Sequence, residues 1–462
     1  MTPQEPTVPP LDAIDHLHLH VSHRDAAEAW YARVLGLRRV PELAHWAQDG
    51  GPLTLADRGH TLHLALFERP GRTTGQGSVA LRVSAEGFAA WQAHLARELG
   101  DAPAPVDHGE SVSIYFHDPD GNPFEITHYE VAHNASALHA LLTDELTRAV
   151  EHGGTPDGGT LSTHLPMALH ALAALGASPL RLRAWAARHF AAVPAAPAWP
   201  ALAQREAEAL DALQREGAQA VLAQRLPALL PHAGAVGFHV LIRAAHAWES
   251  GHPAQLARAL AYWSLREFSV PGVEASSAPP LDLSAWTAAL LALPRVGQEA
   301  AWIALRMRDA AARTDVQAVA SRLQLEGDAP AQLRALGRWA AQAYAQSGNF
   351  TLLHALTATR ALTRLWPVLA PSHHGPVLRT FTTQLAAALL GSRWTGRART
   401  DRPALADADW TTLCRAAVAH DDEHAIKAVH AAWDMGQRVQ DDPDPVWRLA
   451  AARALASFDA GP

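Results

Sequence analysis

Leu17-His18-Leu19-His20-Val21 alternates apolar and polar residues at every step, the period of a strand with one buried face. Thr61-Leu62-His63-Leu64-Ala65-Leu66-Phe67 and Ser78-Val79-Ala80-Leu81-Arg82-Val83 keep the same period. Between these runs, Asp25 to Leu35 and Ala85 to Leu99 carry helical spacing, with Trp30, Tyr31, Phe88 and Trp91 as anchors. The order strand, helix, strands occurs twice, so the first part of the chain reads as a βαβββ unit used twice.

Beyond His133 the pattern becomes nearly all helical. Ala-, Leu- and Arg-rich segments of period 3.6 follow one another, broken by Pro and Gly clusters at 153–159, 194–200, 270–281 and 371–376. They predict one large all-α domain or two stacked helical lobes. The expected fold class is α+β multidomain, a paired βαβββ module at 11–131 followed by an all-helical domain at 136–458. The segment 131–140 is expected to join them.

Composition narrows the function classes. The 462 residues are 48% apolar and 18% charged, with a net charge of −8 and a pI near 6.4, which gives no electrostatic case for nucleic acid. No apolar run reaches membrane-spanning length, and the start, Met1-Thr2-Pro3-Gln4-Glu5-Pro6, has no signal-peptide pattern. Cys414 is alone, so no intrachain disulfide is expected, and a cytoplasmic protein is predicted. No Gly-x-Gly-x-x-Gly run follows a strand, which removes sequence support for a flavin or nicotinamide fold.

Lys427 is the single lysine among 38 Lys and Arg residues. A chain that writes its other cations as arginine has no need of lysine for solubility. A buried amine can lose its proton, whereas guanidinium stays charged. Its neighbours are Asp421-Asp422-Glu423-His424-Ala425-Ile426-Lys427, and the spacing puts His424 and Lys427 on one helix face. The chain also carries 27 histidines, which makes any single one weak evidence.

Asp15-His16-Leu17, Ala29-Trp30-Tyr31, Leu35-Gly36-Leu37 and the run Phe116-His117-Asp118-Pro119-Asp120-Gly121-Asn122-Pro123-Phe124-Glu125 resemble the vicinal oxygen chelate superfamily of glyoxalases, fosfomycin-resistance proteins and extradiol dioxygenases. The resemblance covers about 11–131. It implies a divalent metal in a cup between the two units, at positions held here by His16, His63, Ser78 and Glu125. Ser78 stands where many catalytic members place histidine, so the implied ligands are His16, His63 and Glu125. His18 and His20 read as surface or lining residues.

Four later segments, Ser162-Thr163-His164-Leu165, Gly237-Phe238-His239-Val240-Leu241-Ile242-Arg243, Leu353-His354-Ala355-Leu356-Thr357 and the one ending in Lys427, together resemble the questin oxidase-like family. Singly, each has a plain structural explanation: a cap neighbour, satisfied core histidines, an acidic helix start. The resemblance implies oxygen chemistry on anthraquinone-like polycyclic aromatics, with O2 as co-substrate. It also implies non-haem Fe(II) held by His164, His239, His354 and His424, with Lys427 as a carboxylated (CO2-derived) ligand. Met167, Ala168, Arg243 and Arg360 stand where some members carry further histidines, so the four-His-plus-Lys set is the one implied. Lys427, His424 and Arg243 are the candidate catalytic residues, and Asp421, Asp422 or Glu423 could orient imidazole N–H groups. Two other readings stay open: a binding protein that sequesters an aromatic metabolite, and extradiol-type chemistry confined to the N-terminal module. NADPH as a reductant and a homodimer through the N-terminal module are also left open.

Overall fold

The computed structural model describes residues 13–34, 37–60, 62–69, 78–83, 85–99, 103–107, 111–117, 123–128, 131–148, 152–153, 160–161, 163–192, 199–268, 270, 277–295, 300–437 and 445–458. The turn at 118–122, Ser162 and most of the expected breaks at 153–159, 194–200 and 270–281 lie outside the described residues. The chain divides into two compact units, one comprising the chain to Leu141 and Gly176–Arg188, the other Leu142–Leu175 and His189–Pro462.

The first unit holds β1 (Ala13–Val21), α1 (Arg24–Val34), β2 (Arg38–Arg39), β3 (Leu53–Ala56) and β4 (His63–Glu68), then β5 (Ser78–Arg82), α2 (Ala85–Leu99), β6 (Val106–Asp107), β7 (Val112–His117) and β8 (Pro123–His128). Their sheet order, β2-β3-β4-β1-β5-β8-β7-β6, is two βαβββ repeats. β1 pairs with β4 in parallel and with β5 antiparallel, and β5 pairs with β8 in parallel. Each repeat buries its own apolar cluster. Leu37, Leu53, Leu55, Leu64 and Leu66 gather Leu17, Leu19 and Val21, while Phe88, Trp91 and Leu95 of α2 cover Ile114 and Ile126. Because strand side chains alternate, the leucines of β1 take the core face and His16, His18 and His20 take the other.

The helices continue as α3 (Val131–Arg148), α4 (Leu165–Ala174), α5 (Pro179–Ala192), α6 (Pro200–Glu216), α7 (Ala218–Leu229), α8 (His239–Ser250), α9 (Pro253–Ser264), α10 (Leu283–Leu291) and α11 (Ile303–Ala311). Then come α12 (Thr314–Ala320), α13 (Ala329–Ser347), α14 (Phe350–Leu365), α15 (Pro371–Gly391), α16 (Trp410–Ala419), α17 (Glu423–Gln437) and α18 (Pro445–Phe458). Residues 131–140, expected as a joint, begin a continuous helix, and a short two-strand ribbon pairs His152–Gly153 with Thr160–Leu161. The expected break at 371–376 is a helix start: Pro371 opens α15, where a missing N–H costs nothing, and Pro376 lies in the next turn. Among the described residues no helix is long and apolar enough to cross a membrane.

Four helices form the centre of the second unit. α4 packs on α8, α8 on α14, α14 on α17, and α17 on α4. These helices bury many small residues, among them Ala168 and Ala171, Ala244 and Ala245, Ala355 and Ala358, and Ala428 and Ala431. Alanines let backbones approach closely at no side-chain entropy cost, and leave room for the larger polar groups between them. Gly176, with φ of 89°, stops the segment after α4 in the left-handed conformation that glycine adopts freely.

Candidate metal centre

His164 is the N-cap of α4, His239 the first residue of α8, His424 the second of α17, and His354 lies one turn into α14. The structure brings these four rings together. His164 stacks on His239 with centroids 4.6 Å apart and meets His424 edge-on at 4.6 Å, while His354 lies 4.7 Å from His239 and 5.8 Å from His424. Lys427, one turn beyond His424, is 3% exposed and close enough to depress the pKa of His239, His354 and His424 by charge repulsion.

Each ring is held from outside by its Nδ1. His239 donates to the Val236 carbonyl at 2.6 Å and His354 to the Phe350 carbonyl at 2.7 Å. His164 Nδ1 lies 3.2 Å from Glu423 Oε1, and His424 Nδ1 lies 3.4 Å from Asp422 Oδ1. A Nδ1–H given to an outer acceptor leaves Nε2 as the lone-pair nitrogen, the tautomer of a metal-bound histidine. Nε2 of His239, His354 and His424 is buried and makes no hydrogen bond. Each such atom costs about 1–3 kcal/mol when left unsatisfied. Buried imidazole nitrogens without partners are donors that a transition-metal ion takes, and His164, Glu423 and His424 of the same cluster form a ligand-spaced group, so the chemistry of the residues present fits such an ion.

Electrostatics keeps three of these rings neutral. Burial, then the neighbouring charges, hold His239 and His354 well below the usual histidine range, and burial lowers His424 despite the Asp422 and Glu423 carboxylates. Burial also pulls Lys427 from 10.5 to about 8. All four helices begin on this side, so the positive ends of four macrodipoles converge and favour a negative charge here. Phe350 lies 4.7 Å from His354 and 4.8 Å from His424, and Phe458 packs on His424 at 5.7 Å. Phe350 is 42% exposed, so this aromatic edge borders solvent.

The aim of His239 depends on an unusual backbone. Val236, Gly237 and Phe238 have φ of 51°, 62° and 71°, three left-handed residues in succession ahead of α8. For β-branched Val236 this is a strained conformation, of the kind kept at functional positions. A Cβ at Gly237 would come within 2.6 Å of Ile303 Cδ1. Gly237→Ala is expected to cost at least about 1–2 kcal/mol in stability from φ alone, measured by urea denaturation. The variant should also bind metal more weakly at the four-histidine centre. Unchanged stability and metal affinity together would sink this assignment of strain to the site.

Arg243, expected beside His239, follows it by one turn, and its guanidinium carbon lies 5.8 Å from the Tyr262 ring centroid. Two of the expected carboxylates do orient rings, Glu423 and Asp422. Asp422 Oδ1 also accepts from the His424 and Ala425 amides at 2.7 and 3.2 Å.

The first unit holds another candidate. A cavity of about 340 Å³ is lined by Asp15, His16, His18, His63, Tyr115 and Glu125 among others. His16 Nε2 lies 2.8 Å from His18 Nε2 and 3.3 Å from Glu125 Oε2, and these three residues form a ligand-spaced group. The set expected from sequence, His16, His63 and Glu125, shares two members with this group. His18, one side-chain repeat along β1, joins His16 and Glu125, whereas His63 lines the cavity with its Nε2 unpartnered and stands outside the group. Ser78 opens β5 as the register partner of His18. Asp15, also absent from the expected set, holds His16 Nδ1 at 2.6 Å. Burial opposes protonation of His16, but the bonds to Asp15 and Glu125 prevail and push it up to about 10. A proton there does what a cation would do, balancing two buried carboxylates. The donor set of two imidazoles and a carboxylate therefore fits a divalent metal as well.

A further trio, His170, His246 and His430, is not among the residues expected from sequence. Spacing could have found it: these residues follow His164, His239 and His424 by six or seven positions on the same helices.

Residues 13–126 match the family model described as the Glyoxalase/Bleomycin resistance protein/Dioxygenase superfamily. Among solved structures, a glyoxalase/bleomycin resistance protein/dioxygenase superfamily member from Vibrio splendidus is 14% identical, with 26% of this chain and 99% of that chain covered and a TM-score of 0.19. A glyoxalase/dioxygenase from Nostoc punctiforme is 22% identical, with 25% and 90% covered and a TM-score of 0.12. Comparison with curated proteins returns no match.

Proposed function

We propose that the protein is a metal-dependent oxygenase of flat, anthraquinone-like aromatics, with its centre at His164, His239, His354, His424 and Lys427. The observation that carries this is the convergence of five residues from four helices, three of whose histidines have a buried Nε2 that lacks a partner. A bound Fe(II) would supply the activation of O2. Four neutral imidazoles and one anionic oxygen would hold it and leave one octahedral position.

This chain's residues supply the rest. Glu423, Asp422 and the carbonyls of Val236 and Phe350 fix the rings. Lys427, with its pKa near 8, has a neutral amine within reach of ordinary pH, and addition of CO2 to that amine, with one proton released to solvent, gives a carbamate carrying one negative charge. The converging helix N-termini favour that charge. Phe350 and Phe458 offer aromatic surface beside His424 at a solvent-facing edge, against which a flat substrate can stack.

The group of His16, His18 and Glu125 in its 340 Å³ cavity supports a second reading, metal-dependent chemistry in the N-terminal module. One experiment separates them. Oxygen uptake is measured for the Fe(II)-loaded full chain with hydroxylated anthraquinones. It is expected to vanish in His354→Leu and persist in Glu125→Gln. The reverse pattern would move the chemistry to the N-terminal module, and no uptake by the wild type would leave the sequestering protein ahead.

A further inference from the structure

Beneath the four-histidine level lies a second layer on the same helices. His170 of α4, His246 of α8 and His430 of α17 meet about 9–10 Å further along the helix axes, at 1.5 Å per residue. All three are buried. His170 Nδ1 is 2.9 Å from His246 Nδ1, and the His430 ring lies 5.4 Å from His246 and 5.7 Å from His170. One nitrogen of each ring lies within 4.8 Å of the other two.

We propose that His170, His246 and His430 form a second cation site, separate from the four-histidine centre, which takes a borderline transition-metal ion such as Zn2+ through three imidazoles. Three features carry this. Of two Nδ1 atoms facing each other, one donates and the other accepts, and moving that single proton to the Nε2 of its own ring leaves two lone pairs on facing nitrogens. The buried Nδ1 of His430 has no hydrogen-bond partner at all. The set is all nitrogen, which suits zinc and its neighbours and disfavours calcium or magnesium.

The surroundings fit the same assignment. Where α14 could have offered a fourth histidine, it places Arg360, bonded to Asp434 at 2.7 Å and to Glu249 at 2.7 Å. Arg364 binds the same two carboxylates. The pairing of Arg360 and Arg364 with Asp434 and Glu249 reduces the guanidinium charge felt at the rings without removing it. Burial, and then repulsion from Arg360, hold His170 at about 3 and His430 well below the usual range, which keeps the rings unprotonated. Three imidazoles leave the fourth position of a tetrahedral ion to a small exogenous ligand. An ion here ties together α4, α8 and α17, the helices that present His164, His239 and His424. Its role is a clasp that holds the level above in register.

The test uses the metal-free full chain incubated with Zn2+, freed of excess and analysed for zinc per chain. His430→Leu is expected to hold one equivalent fewer than the wild type and to lose part of the zinc-dependent rise in Tm. Equal zinc in both proteins would overturn the proposal. A substitution could instead disturb the level above, so His430→Cys serves as a second variant. Loaded with Co2+, it should show a thiolate-to-cobalt charge-transfer band absent from the wild type, whose Cys414 is the control. Absence of that band in folded, cobalt-exposed His430→Cys would equally overturn it.

Discussion

Lys427→Met is expected to raise the stability of the metal-free protein near pH 7 by about 3 kcal/mol, the free-energy equivalent of the fall in the lysine pKa from 10.5 to about 8. The sign follows from linkage. The folded-state pKa lies below the unfolded one, so folding works against the bound proton. That penalty is complete below pH 8, shrinks as pH rises from about 8 to 10.5, and is absent above. The gap between variant and wild type should therefore close over the same interval in urea titrations. Lys427→Arg gives no such relief, because guanidinium does not release its proton. A Met variant less stable than wild type at pH 7 would show that Lys427 serves packing, not chemistry. Residues kept at a cost to stability are those with work to do, which is why the single lysine of the chain matters.

The N-terminal module has the opposite pH signature. His16 is pushed up to about 10, so its stabilising charge pairing with Asp15 and Glu125 is complete below its ordinary 6.5 and lost as pH rises through 10. The metal-free module should lose up to about 5 kcal/mol across that window, the linkage value of the shift at full burial. Divalent metal should restore it, since the ion replaces the proton between the carboxylates. His16→Gln should flatten the profile. A wild-type profile already flat from pH 7 to 10 would contradict the pairing. Metal should also load more readily as pH rises, because proton and ion compete for the same Nε2.

Much of the fold is legible in the residue pattern alone. Period-two runs mark β1, β4 and β5, and 3.6-residue spacing marks α1 and α2, because in each case a single buried face dictates the residue pattern. The convergence of His164, His239, His354 and His424 is legible only through motif order and does not follow from spacing, since the residues lie on four separated helices. Local periodicity carries no information about which helices pack together. The same limit explains His18. Register decides whether a ring on β1 meets Glu125 of β8, and register depends on pairings through β5 that no single strand announces. The left-handed run at Val236 to Phe238 is hidden for another reason. Valine and phenylalanine disfavour that conformation, so tertiary packing, and not local propensity, imposes it.

The most direct test of the oxygenase centre is iron per chain. Wild type and Lys427→Met, purified side by side, are reconstituted anaerobically with Fe(II) and bicarbonate and counted by elemental mass spectrometry. The predicted result is about one iron per chain that is bound by the wild type, lost in Lys427→Met and kept in Glu125→Gln, whose role is confined to the N-terminal module. Equal iron in wild type and Lys427→Met would contradict a carbamate-ligated centre, and iron lost in Glu125→Gln alone would place the ion at His16, His18 and Glu125.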